Sequence, residues 1–172
     1  MNPLSAQDVI RLLGLEPLVQ EGGFFRETYR SRVRVPAAAL PDHPGERDLS
    51  TAIYYLLTPE SFSAVHRVRG DEIFHFYMGD PVEMLQLREG GVGERLILGN
   101  DLARGMRPQV VVHGGVWQGA RLVQGGAFAL LGTTMAPGFD YMDFELGDRD
   151  PLSRAFPDHA ELIAALTAIH LC

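Results

Sequence analysis

Ser61 to Gly79 reads SFSAVHRVRGDEIFHFYMG. It predicts two short strands joined by a turn at Arg69–Gly70. Side chains of a strand switch faces at each residue. Ala64, His66 and Val68 therefore share one face, and Glu72, Phe74 and Phe76 share a face of the next strand. The small and apolar company of His66 points it into an interior. His75 falls on the face opposite Glu72. Outward from this stretch, Thr51 to Thr134 breaks into short apolar runs separated by Gly clusters: TAIYYLL, SAVHRV, EIFHFYM, VEMLQL, RLILG, QVVV, VWQGARLV and AFALLGTT. Glu89–Gly93 and Gly99–Asp101 are turn signals at hairpin spacing. Many strands with no helix between them exclude alternating βαβ units and favour an all-β sandwich or barrel.

The flanks differ. Ser5 and Asp8 resemble a capping box ahead of Val9, Ile10, Leu12 and Leu13, and Gly14 ends that helix. Phe24 to Ser31 reads as a strand and Pro36 to Asp48 as a polar loop. Asp158 to His170 reads as a closing helix, with Pro157 near its start. The 172 residues carry 46% hydrophobic and 22% charged side chains, which suits one globular domain over residues 1–172. A net charge of −7 argues against general binding to nucleic acid or anionic membranes, which a basic face would drive. No apolar run approaches the ~18 residues that span a bilayer. The first residues lack the basic and apolar parts of a secretory signal, and the lone Cys172 has no intrachain partner. A cytoplasmic location is expected.

The opening stretch resembles the first motif of the cupin superfamily: His-x-His, then Glu, then a closing Gly. His66 takes the first His, Glu72 the carboxylate and Gly79 the closing Gly, while Val68 stands at the second His. The second cupin motif, Pro-x-Gly-x-x-His, is matched by His113-Gly114-Gly115-Val116-Trp117-Gln118. Gly115 is in place, and Gln118 replaces the His. Gly22 to Ser31 (GGFFRETYRS) resembles a segment of the cupin-fold dTDP-sugar 3,5-epimerases that helps bind nucleotide, with Gly22 at the family's usual Arg. With APGFDYMDFEL (136–146), these motifs look like one subfamily, the cupin domains of unknown function, from about Ser5 to Leu166. The resemblance implies a double-stranded β-helix, or jelly-roll, barrel with N- and C-terminal helices outside it.

A metal-binding cupin offers three imidazoles and a carboxylate. This chain offers one imidazole, one carboxylate and the neutral amide of Gln118, so no stoichiometric metal and no cofactor are expected. The expected site is a pocket for a small molecule, a sugar or nucleotide sugar. In it His66 serves as general base, Glu72 orients it and Tyr141 returns the proton. Arg26, Thr28, Gln118 and Asp140 are the expected ligand contacts. Arg26 and Thr28 rest on the resemblance, since pattern alone reads their strand as a solvated edge. Trp117 reads equally as a core residue or as a flat platform for a ring. The leading expectation is epimerase or isomerase activity. A non-catalytic metabolite-binding cupin and a metal-dependent cupin are the alternatives. Cupins often pair sheets or exchange N-terminal strands, so a homodimer is expected.

Overall fold

Alternation of apolar and polar residues builds two antiparallel sheets that face each other. The computed structural model describes residues 4–167; Cys172 and the end of the expected closing helix lie outside them. The elements are α1 (Ala6–Leu13), β1 (Glu16–Pro17), β2 (Phe24–Arg30), β3 (Arg34–Val35), β4 (Arg47–Asp48), β5 (Thr51–Leu57), β6 (Phe62–Arg67), β7 (Asp71–Gly79), β8 (Val82–Arg88), β9 (Val92–Leu98), β10 (Gln109–Val112), β11 (Trp117–Leu122), β12 (Ala129–Ala136), β13 (Glu145–Leu146), α2 (Arg149–Ala155) and α3 (Ala160–Leu166). One sheet runs β1-β2-β5-β12-β7-β10 and the other β13-β6-β11-β8-β9. This is the expected all-β jelly roll. β2 pairs with β1 and β5 of its own chain.

The inward faces supply the core between the sheets. Tyr55, Leu57, Phe74, Phe76, Met84, Leu98, Val112 and Leu131 are all buried there. Gly79, which closes the opening motif, ends β7 at φ 99°, and a Cβ there would collide with the Phe128 carbonyl. Only glycine lets the chain turn at that point. Among the described residues, no helix is long and apolar enough to cross a membrane.

Helices cover the two outer faces. Ser5 caps α1 through a full capping box with Asp8, and Gly14 (φ 61°) ends it. Val9 and Leu15 then pack on Leu56, Phe128 and Leu130 of the first sheet. At the other end, the expected single helix from Asp158 is replaced by α2, a single turn at Pro157–His159, and α3. Pro151 hides α2 in the sequence. It sits in the first turn, where its missing N–H has no intrahelical partner to lose. Leu152, Phe156, Leu162, Ile163 and Leu166 bury themselves against Val65, Leu85 and Leu87 of the second sheet.

β4 is tied to the segment after β12 by a buried ion pair. Arg47 Nε lies 2.7 Å from Asp143 Oδ2, and Arg47 Nη2 lies 2.8 Å from Oδ1. Their side chains are 1% and 3% exposed. Removing one partner strands a charge in a medium that cannot solvate it, a loss of about 3–5 kcal/mol. The Arg67–Glu145 pair is 42% and 55% exposed, a setting in which an ion pair contributes roughly 0–1 kcal/mol. Urea denaturation should therefore find Asp143→Ala far more destabilising than Glu145→Ala. Equal midpoints for the two variants would contradict this account.

Candidate functional site

Beside the apolar core, the two sheets enclose a cavity of about 170 Å³. Each wall follows from strand alternation. β6 turns His66 and Val68 inward, and β7 turns Glu72 inward from the facing sheet. Gln118 of β11 is paired in register with His66. β12 adds Thr133, and β2 adds Phe25 and Glu27. The register of β2 on β5 jumps from Glu27↔Ile53 to Tyr29↔Ala52, which leaves Thr28 as an extra residue. That bulge brings Arg30 back to the face of Glu27.

His66 is 2% exposed. Its Nδ1 lies 2.8 Å from the Ala64 carbonyl oxygen. A carbonyl only accepts, so Nδ1 carries the proton and Nε2 keeps a lone pair in the neutral ring. Nε2 lies 3.4 Å from the Gln118 Nε2 and 3.9 Å from Glu21 Oε2. The same Gln118 nitrogen donates to Glu72 Oε2 at 2.6 Å, while Gln118 Oε1 is buried without a hydrogen-bond partner. Burial raises the pKa of Glu72, and the neighbouring Glu21 carboxylate pushes the same way; His66, Thr133 and Gln118 oppose them. Burial therefore favours the protonated acid.

Glu21 owes its position to the glycine that follows. Gly22 has φ 106°, and a Cβ there would collide with the Phe62 carbonyl. The Tyr55 hydroxyl donates to the Gly22 carbonyl at 3.0 Å, and Ser63 Oγ donates to Glu21 Oε1 at 2.6 Å. The Arg of the epimerase segment is thus replaced by a residue that packing requires to be glycine.

The mouth is roofed by Phe139, Tyr141 and Phe144. Their rings meet edge to face at centroid distances of 4.9, 6.3 and 6.4 Å. Phe144 also stacks on His66 at 5.2 Å. Arg30 lies beneath, gripped by Glu27 (Nη2–Oε2 2.7 Å) and Asp48 (Nη1–Oδ2 2.7 Å). These carboxylates raise its pKa further.

Of the residues expected at the site, His66 and Glu72 line the cavity with half-exposed Tyr141 at the rim, and Gln118 is buried beside them, within reach of both. Four others are placed differently. Trp117 neighbours Gln118 in the strand, so alternation sends it outward. It packs with the cluster under the C-terminal helices, and the Arg67 guanidinium lies 4.5 Å above its ring. Arg26 faces away from Phe25 and Glu27 and donates to the Leu13 carbonyl at 2.7 Å, near the end of α1. Thr28 occupies the bulge and donates to the Ala52 carbonyl. Asp140 accepts from Met142 N at 2.8 Å and caps a short turn. His75 lies on the outer face, between Thr134 and Gln109. Glu21, Glu27 and Arg30 were not expected. Glu27 and Arg30 are three apart, which places them on opposite faces of a regular strand; only the bulge unites them.

The donor set does not fit a transition metal. Val68 and Gln118 hold two imidazole positions of the cupin centre; Val68 has no donor atom, and the neutral amide oxygen of Gln118 is a weak ligand for a transition metal beside an imidazole. Among the described residues, no group of three or more His, Cys, Asp or Glu side chains is arranged to hold a metal ion.

Known proteins share this architecture. The family model described as Cupin superfamily (DUF985) matches residues 7–147. The uncharacterized protein YML079W of Saccharomyces cerevisiae is 30% identical over 159 residues, covering 86% of this chain and 79% of that protein. A hypothetical protein from Leishmania major is similar in structure with a TM-score of 0.85 and 30% identity, covering 96% of this chain and 100% of that one. Protein SO0799 from Shewanella oneidensis gives a TM-score of 0.83 and 35% identity, covering 96% and 99%. With its barrel and its His66–Glu72 motif in register, the chain belongs to the DUF985 family of the cupin superfamily.

Proposed function

We propose that this cupin binds a compact polyol, of monosaccharide size, and isomerises or epimerises it by proton transfer at His66. The observation that carries the reading is the buried imidazole. Its tautomer is set by Ala64, and its free Nε2 lies among Glu21, Gln118 and Glu72. Nε2 takes the proton from a carbon next to a carbonyl, giving an imidazolium and an enediolate. Glu21 stabilises the imidazolium, and Glu72, whose pKa burial raises, donates in its protonated form to the developing oxyanion. Return of the proton from His66, or from Tyr141 at the rim, completes the isomer. The cavity of about 170 Å³ is smaller than the ~300–1,000 Å³ of pockets for drug-sized ligands. That favours a single sugar ring or open-chain sugar over a nucleotide sugar.

Incubation with small aldoses and ketoses in heavy water tests the reading. Carbon-bound hydrogen next to the carbonyl should exchange, and His66→Ala should slow the exchange about 10²–10⁴-fold, the usual share of a general base. Sugars that bind in the cavity but never exchange would leave a binding protein and no isomerase.

The role of Glu72 has its own check. A carboxyl whose pKa is raised by folding stabilises the fold below its unfolded value, ~4.3. That contribution is lost as pH rises through the folded value. Glu72→Gln cannot ionise. Compared with the wild type, the variant should therefore gain stability as pH rises above about 4, until the folded value is passed, in urea denaturation. A difference independent of pH would remove Glu72 from the acid role.

A further inference from the structure

The charge of the ligand can be read from the cavity wall. Building on the compact-polyol reading, we infer that the site selects a ligand with a protonated amine, an amino sugar or amino polyol, over a carboxylated or phosphorylated one. Arg30 is the one permanent cation lining the cavity among the described residues. It is held on both sides: Nε and Nη2 donate to Glu27 at 3.0 and 2.7 Å, and Nη1 donates to Asp48 at 2.7 Å and to the Phe139 carbonyl at 3.4 Å. Glu27 balances Arg30, and Asp48 is shared with Arg34 Nε at 3.6 Å, so this group is close to neutral and offers an anion no unpaired cation.

Glu21 adds a third carboxylate. Its Oε1 accepts from Ser63, and its Oε2 lies 3.9 Å from His66 Nε2, too far for a hydrogen bond. No Lys or Arg pairs with it among the described residues. An anion placed here would be desolvated beside like charges, with the guanidinium already occupied. An ammonium would meet the open oxygen of Glu21. It would also lie against the rings of Phe25, Phe139, Phe144 and Tyr141, which line the cavity and attract cations through their faces. The other ionisable groups on the wall do not reverse this sign. A neutral His66 adds no charge, and ionisation of Glu72 would add a further negative one.

Three probes built on one ring separate the possibilities: glucosamine, glucose and glucuronate. Their binding to the full chain is followed by calorimetry and by the NMR shifts of the His66 ring. Glucosamine should bind about tenfold tighter than glucose, with glucuronate weakest. Glu21→Gln keeps an oxygen for Ser63 and should reduce the glucosamine advantage over glucose to within about twofold. Glu27→Gln loosens Arg30 and should raise glucuronate affinity, an independent readout should the first variant fail to melt as the wild type does. Glucose binding without an amine advantage, or an advantage that survives Glu21→Gln, overturns the charge inference and leaves the compact-polyol reading in place. If none of the three probes shifts His66, both fail.

Discussion

Glu72 is a carboxylate buried between two β-sheets, and the surrounding structure answers to that fact. An ionised carboxylate in such a place costs several kcal/mol unless it is paired or hydrogen-bonded. Among the described residues, no Lys or Arg is paired with Glu72. Its partner is the Gln118 amide at 2.6 Å, a neutral donor from the opposite sheet. The same nitrogen lies near His66, so one side chain links the acid and the base across the sandwich. Apolar packing cannot continue past such a group. The core of Leu, Val and Phe gives way to a cavity where Glu72 begins.

The rest of the fold frees the barrel interior for this polar end. The outer faces of both sheets are covered from the chain's own ends, by α1 on one side and by α2 and α3 on the other. Glu27 follows Phe25 to the cavity face by alternation, and the bulge at Thr28 brings Arg30 to the same face. A regular strand would have turned Arg30 away from Glu27. Their side chains are 42% and 41% exposed, so the pair sets the arrangement of the mouth and does not offset a buried charge.

The fold was legible because it rests on local rules. Alternation around His66 and Glu72, Gly79 at a forced turn and the Ser5–Asp8 cap each act over a few residues. The centre of the site was legible for the same reason. What the sequence hid arises where those rules are broken or where distant segments meet. Trp117 and Gln118 are adjacent in one strand and cannot both face the cavity, so placing both there conflicted with alternation. Arg26 was read as a ligand contact, but its strand position turns it to the end of α1. Glu21 sits in an irregular turn, where no periodicity reports direction. The pairing of Asp143 with Arg47 joins residues 96 apart in the chain, a separation over which no local pattern reports.

The Arg47–Asp143 pair bears on time as well as on stability. Phe139, Tyr141 and Phe144 lie in a short irregular segment that the β-ladders of the barrel do not hold, and Asp143 anchors it from within. Segments with few ladder hydrogen bonds open locally at a lower free energy than the sheets they cover. On the proposed reading, a ligand under this roof would leave when the roof lifts, so its residence time would be set by the anchor and its affinity for the floor by the barrel. Changes at position 47 or 143 would then speed arrival and departure together. The kinetics of exchange and the choice of ligand are thereby assigned to different parts of the chain.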